Sequence, residues 1–160
     1  YMDCPFHRYE TGKDFTEIFL SAVADLEGVK VSVPFGETLT VDRHHFTDLD
    51  LKGKAVLVHT GWDSKWNTDA YFEDHPFLTA EAAEYLRHQQ IALLGIDAHN
   101  VDDTRVHSRP VHSTLLAEDI LIVEHLCQLH LVPDQDFFFC AVPPRIKGMG
   151  SFPVRAYAKF

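Results

Sequence analysis

Short apolar runs and alternating apolar and polar positions recur along most of the chain, and these patterns predict strands. Residues 29–33 (VKVSV) are rich in β-branched valine and alternate apolar and polar positions. Gly28 before them and Pro34 after them mark the ends of a strand. Residues 55–59 (AVLVH) form a continuous apolar run, which is typical of a strand covered on both faces. Similar runs predict further strands or buried segments over 91–96, 121–126, 137–142 and 154–159.

One segment has the pattern of an amphipathic helix. Thr79 is a candidate N-cap, Glu81 and Glu84 follow in the first turns, and an apolar face continues to about Gln90. The strand at 91–96 follows at once, so this helix-to-strand unit predicts an α/β fold. Shorter helical segments are predicted over 41–46 and 115–119, and long loops over 97–111 and 143–151. Without repeats or a dividing linker, residues 1–160 are predicted to form a single domain.

Composition excludes several classes of protein. The chain has 160 residues, of which 46% are hydrophobic, enough to bury a substantial core. Its 24 acidic residues against 14 basic ones give a net charge of −10, which argues against nucleic acid and anionic membrane partners. Three cysteines without a CxxC pair fit a reducing compartment, and we expect cytoplasmic localisation without a signal peptide.

Eleven histidines beside an excess of carboxylates are an unusual stock of metal ligands and proton-transfer groups. Asp3 and His7 flank Pro5, so a fixed loop must set their geometry. His112 precedes Glu124, which follows the apolar run 120–123, where a carboxylate is costly to bury unless it is paired or binds a metal. The alternatives are a turn with a hydrogen-bonded histidine and a glutamate that faces solvent.

The order of several motifs is similar to one known family. Tyr1–His7 matches the last seven positions of the signature H-x-G-T-H-x-D-x-P-x-H, except that Tyr1 replaces its second histidine. Further matches are 53–57, 60–63, 94–97 followed by Asp102, 112–124 and 153–156. The chain thus resembles the cyclase-like metal-dependent hydrolases, which include bacterial kynurenine formamidase and isatin hydrolase. Relative to that family, we expect it to be incomplete at its N-terminus.

The resemblance implies a mixed sheet with flanking helices, in the family's swivelling β/β/α-like architecture. It implies that Asp3, His112 and Glu124 are metal ligands and that His7 is the catalytic acid/base. Because both upstream signature histidines are missing, we expect one divalent ion, Zn²⁺ or Mn²⁺, or none. A homodimer or homotetramer acting on a small-molecule substrate is a further implication.

The implied activity is hydrolysis of a C–N bond in an amide-like substrate, as in the arylformamidase reaction of tryptophan catabolism. One alternative is a metal-free family member that serves as a binding or assembly module. Another is a lyase or dehydratase, because the same Lewis acid would stabilise an enolate.

Three more residues are candidate substrate contacts. Arg8 could hold a substrate carboxylate, or instead pair with Glu10 or Asp14. Trp62 could stack on an aromatic substrate, or instead plug the core. The phenol of Tyr1 could bond a substrate or a water. We interpret Asp97, Asp102 and Asp103 as loop caps and Cys4 as a small filler residue.

Overall fold

The computed structural model describes residues 1–160 and is built around one mixed sheet of eight strands. Ten strands are present in all, and two of them form a separate small sheet. Numbered along the chain, they are β1 (Met2–Asp3), β2 (Leu26–Ser32), β3 (Thr40–Val41), β4 (Ala55–His59), β5 (Phe77–Leu78), β6 (Leu93–Ile96), β7 (Leu121–Val123), β8 (Phe137–Cys140), β9 (Ser151–Phe152) and β10 (Tyr157–Lys159).

The main sheet is parallel at its centre and antiparallel at both sides. Its strand order is β10-β8-β2-β4-β6-β7-β1-β9. The strands β2, β4, β6 and β7 are parallel neighbours, whereas β8 and β10 on one side and β1 and β9 on the other run antiparallel. The predicted α/β class with a mixed sheet is therefore confirmed.

The sheet separates two hydrophobic cores. Helices α1 (Ala80–His88) and α2 (Pro110–Leu116) contribute to the core on one face, together with Val56 and Val58 of β4. The neighbouring Ala55 and Leu57 belong to the core on the opposite face. Because both faces are covered, β4 is apolar at almost every position, as its sequence indicated.

Several predicted elements agree with the structure. The strand over Ala55–His59 has the predicted bounds, and α1 begins after Thr79, whose hydroxyl accepts a hydrogen bond from the Ala82 amide at 3.2 Å. The predicted strand at 29–33 begins earlier, at Leu26, and the segment at 41–46 contains a 3₁₀ helix, Arg43–Phe46. The short strands β1, β3, β5 and β9 were not predicted, because two-residue strands have no detectable alternation.

The second helix departs most from its prediction. A turn over 115–119 was expected, but α2 begins at Pro110 and ends at Leu116. Pro110 occupies the first turn, where its missing N–H costs nothing, and the Asp102 carboxylate accepts hydrogen bonds from the amides of Val111 (2.7 Å) and His112 (3.0 Å). This cap comes from a loop eight residues upstream, which a local pattern does not reveal.

No helix is long and apolar enough to cross a bilayer.

Candidate metal and active site

Two residues of the site lie on the signature segment beside β1. Asp3 ends β1, and His7 ends the 3₁₀ helix Pro5–His7. The His7 amide donates a hydrogen bond to the Cys4 carbonyl at 2.8 Å. Gly150 packs directly against this turn: a Cβ at position 150 would lie 2.4 Å from the His7 nitrogen. Only glycine leaves room for this close approach, so it helps to fix His7 beside Asp3.

His112 lies on α2 and is held by a buried carboxylate behind it. Its Nδ1 lies 2.6 Å from Asp102 Oδ2, so Nδ1 carries the donated hydrogen and Nε2 faces the other way. Nε2 is 3.5 Å from Asp3 Oδ2 and 3.6 Å from Glu124 Oε1. A carboxylate that orients a histidine in this way is a recurrent arrangement behind metal-binding imidazoles.

Glu124 directly follows β7 and is 1% exposed. Its Oε1 accepts a hydrogen bond from the Val101 amide at 2.8 Å. Burial raises the pKa of Glu124 to about 7, an effect that the nearby charge of Asp3 reinforces and that of His112 opposes. The predicted solvent-facing alternative for this glutamate is therefore wrong.

Asp3 is the least satisfied polar group of the site. Both of its carboxylate oxygens are buried and have no hydrogen-bond partner. Its Oδ1 lies 3.6 Å from His7 Nδ1, and ligand atoms of Asp3, His7 and His112 all lie within 4.8 Å of one another. A buried carboxylate without partners is costly, and a bound cation is a common remedy.

The charge balance of this cluster favours a divalent cation. Burial alone would lower the pKa of His112, but the carboxylates of Asp102, Asp3 and Glu124 outweigh it and raise the pKa to about 9. Three buried carboxylates thus face a single imidazolium. Mixed carboxylate and imidazole donors suit Zn²⁺ or Mn²⁺, so the residues present fit such an ion.

The three predicted substrate contacts have different surroundings. Tyr1 is 37% exposed, its ring centroid lies 4.9 Å from that of His125, and burial together with the charges of Glu124 and Asp3 raises its pKa. Trp62 is 2% exposed and its Nε1 donates to the Tyr71 carbonyl at 2.9 Å, so the substrate wall predicted for it is wrong and it plugs the core. Trp66, which is 61% exposed, is the accessible indole of this loop.

Arg8 makes neither of the predicted ion pairs with Glu10 and Asp14. Its Nε donates to Ser113 Oγ and its Nη2 to the Ser108 carbonyl, both at 3.0 Å. These bonds join the signature turn to the segment around the start of α2. Arg8 therefore borders the site without a carboxylate partner.

Two aspartates interpreted as caps of their own loops act on other segments. Asp97 accepts hydrogen bonds from Thr60 and Gly61, and so holds the loop after the neighbouring strand β4. Asp102 caps α2 and orients His112. Asp102 matched the family pattern in sequence, but its partner is visible only once the loop 97–109 is folded.

Two cavities adjoin the site. One of about 270 Å³ is mainly apolar and reaches Tyr1 and Glu124, with Leu126, Leu129 and Phe139 among its lining residues. The other, about 330 Å³, is lined by His7, Arg8, His107, Arg109 and His112. A reacting group at the cluster would thus have apolar surroundings on one side and cationic ones on the other.

Comparison with known proteins gives the same family as the motifs. The family model described as "Putative cyclase" matches residues 1–103. Kynurenine formamidase of Geobacillus thermodenitrificans is 31% identical over 163 residues, an alignment that covers 98% of this chain and 72% of that protein. The chain belongs to the cyclase family.

Solved structures agree with this assignment. A structure described as a "potential metal-dependent hydrolase with cyclase activity" matches with a TM-score of 0.81 and 28% identity, covering 97% of this chain and 74% of the other. An isatin hydrolase bound to the product analogue thioisatinate matches with a TM-score of 0.87 over 98% of this chain and 69% of its own, but at 19% identity it supports the fold alone.

Proposed function

We propose that this chain is a metal-dependent hydrolase that cleaves the C–N bond of an amide-like substrate, with arylformamides as the preferred class. The observation that carries the proposal is the buried, unpartnered carboxylate of Asp3 between His7 and His112. Membership of the cyclase family and the 31% identity to a kynurenine formamidase support it.

Asp3, His112 and Glu124 are the residues that would hold the ion. A bound Zn²⁺ or Mn²⁺ would polarise the amide carbonyl and lower the pKa of a water molecule. Asp102 keeps His112 Nε2 turned toward the two carboxylates, since its own bond to Nδ1 fixes the ring. Water and substrate would supply the other ligands of a bound ion.

His7 is suited to move protons in this reaction. Its side chain is 42% exposed and its Nδ1 lies 3.6 Å from Asp3, so it borders both the buried cluster and the cationic cavity. Hydrolysis of a formamide consumes one water and releases formate and an amine. His7 can accept the proton of the attacking water and deliver it to the leaving nitrogen.

The apolar cavity supports an aromatic substrate. It reaches Glu124 and Tyr1 and presents mainly hydrophobic side chains, which suit an aryl ring better than a charged chain. Trp66 and His125 add aromatic surfaces at neighbouring positions, with their ring centroids 5.9 Å apart.

Hydrolysis of formanilide by the chain supplied with Zn²⁺ or Mn²⁺ tests the proposal. Aniline release is followed by absorbance, with a chelator-treated sample as the control. We expect metal-dependent turnover that ceases after chelation and returns when the ion is restored. A protein that binds no metal and hydrolyses no formamide would instead be the binding module, and the proposed function would be wrong.

A further inference from the structure

Arg109 has no carboxylate partner although the chain is strongly acidic. None of its guanidinium nitrogens lies within 4.0 Å of a carboxylate oxygen, whereas Arg43, Arg87 and Arg105 are paired with acidic residues. Arg145 and Arg155 also lack a carboxylate partner, but only Arg8 and Arg109 share a cavity with the proposed site. Arg109 is only half-buried, and it lines the cavity of about 330 Å³ with Arg8 and His107. A chain with a net charge of −10 thus keeps two unpaired guanidinium groups in one cavity.

The same cavity is bordered by the proposed catalytic cluster. His7 and His112 complete its lining, so an anion bound there would lie beside the reacting group. Burial lowers the pKa of His99, and the nearby charge of Arg109 adds to this effect. Arg109 therefore lines the same cavity as His7 and His112.

The backbone at Arg109 is unusual for this residue type. Its φ of 48° and ψ of 57° lie in the left-handed region, which is costly for a residue other than glycine, asparagine or aspartate. Arg8 holds the same segment from the other side through its bonds to the Ser108 carbonyl and Ser113 Oγ. These contacts anchor the chain on both sides of Arg109.

We infer that Arg109, supported by Arg8, binds a carboxylate carried by the substrate, so that the preferred substrates are anionic amides. A planar guanidinium pairs with a carboxylate through two parallel hydrogen bonds, and the absence of a protein carboxylate leaves both bonds available. This inference rests on the proposed hydrolase function. It adds a selectivity for anionic over neutral arylformamides.

The test compares N-formylanthranilate with its methyl ester, which has the same reacting bond without the negative charge. In the wild type, kcat/KM should be about ten- to a hundredfold higher for the acid. Arg109→Gln should abolish most of this ratio, chiefly through KM for the acid. Arg105→Gln is the matched control, because Arg105 lies on the same loop but pairs with Asp103 and Asp74, and it should keep the ratio.

A direct binding measurement separates this inference from the proposed function. Anthranilate is titrated calorimetrically into wild type, Arg109→Gln and Arg105→Gln, with metal content and thermal unfolding recorded for each. We expect binding to weaken about tenfold or more in Arg109→Gln alone, even if no formamide is hydrolysed. Equal anthranilate affinity in all three proteins, or a wild type with no preference for the acid, would overturn the inference.

Discussion

Two groups of histidines lie within one small fold, and their surroundings give them opposite properties. His112 is buried among Asp3, Asp102 and Glu124, and its pKa is raised to about 9. His75 is 3% exposed, and burial together with the charge of His99 lowers its pKa to about 4, against the smaller opposing effect of the Asp103 carboxylate. Burial acts in the same direction on both rings, so the carboxylates account for the difference.

The second group consists of His99 and His125, which contact Tyr71, and of His75 beside His99. The His75 and His99 ring centroids are 4.0 Å apart, and none of the three rings is hydrogen-bonded to a carboxylate. Burial also lowers the pKa of His125 to about 4, although His125 is the chain neighbour of Glu124. Metal chemistry is therefore expected where imidazole and carboxylate are buried together, not wherever histidines gather.

The largest expected effect concerns His7, which lies with His112 beside the buried carboxylates but is partly exposed. If the proposed roles hold, His7→Gln should lower kcat by about 10²–10⁴-fold without loss of bound metal, because it removes the proposed acid/base and leaves the proposed ligands. Activity and bound metal are measured on the same sample. Loss of the metal in this variant would make His7 a ligand, and unchanged activity would remove it from the reaction.

Asp102 tests whether the carboxylate behind His112 matters to the metal. Asp102→Asn should weaken metal affinity about 10–100-fold, because it disturbs the orientation and basicity of the imidazole. Asp103→Asn is the matched control, since Asp103 pairs with Arg105 at 2.8 Å outside the site. Competition with a chromogenic chelator gives both affinities, and equal values would contradict the assigned role of Asp102.

Gly150 tests whether the position of His7 depends on close backbone packing. Gly150→Ala would place a Cβ 2.4 Å from the His7 nitrogen, so the turn must shift. We expect a loss of about 1–3 kcal/mol in the free energy of unfolding, together with reduced activity. Gly36→Ala, where a Cβ meets nothing within 4 Å, is the control in denaturant titrations. Unchanged stability and activity in Gly150→Ala would show that this packing does not hold His7.

The smallest expected effect comes from His75, in the second group of histidines. The pKa of His75 falls from its ordinary 6.5 to about 4 in the folded protein, so the unfolded chain takes up a proton first as the pH drops. The stability that neutral His75 contributes is present above pH 6.5 and is lost as the pH falls toward 4. The Tm of the wild type should therefore fall as the pH drops. In His75→Gln this fall should be about 5 °C smaller.

His130→Gln is the control for this measurement, because His130 is exposed. It should follow the wild-type pH profile of thermal unfolding. A His75→Gln profile that is as steep as that of the wild type between pH 7 and 4 would contradict the assigned surroundings of His75.

Sequence patterns predicted the elements that carry their own apolar pattern or cap. They missed the elements that are stabilised by residues far away in the chain. The strand Ala55–His59 and the helix after Thr79 were predictable because each carries its own apolar pattern or cap. The start of α2 depends on Asp102, which reaches it only after the long loop folds. The strand β1 has two residues and exists through its pairing with β7 and β9.

The site divides in the same way. The order of motifs predicted Asp3, His7, His112 and Glu124 as site residues, and the structure brings these four side chains together. Asp102 and Arg109 depend on how the loop 97–109 is arranged, so their contacts could not be predicted from spacing. Trp62 shows the reverse limit: its type suggested a substrate contact, but its burial excludes one.

The most direct test of the proposed metal site is the metal content of three proteins after incubation with Zn²⁺ or Mn²⁺ and removal of the excess: wild type, Asp3→Asn and His99→Ala. We expect about one tightly bound ion per chain in wild type and in His99→Ala, and loss of the ion in Asp3→Asn. Metal retained in Asp3→Asn, or lost in His99→Ala, would contradict the assignment of the metal to Asp3, His112 and Glu124.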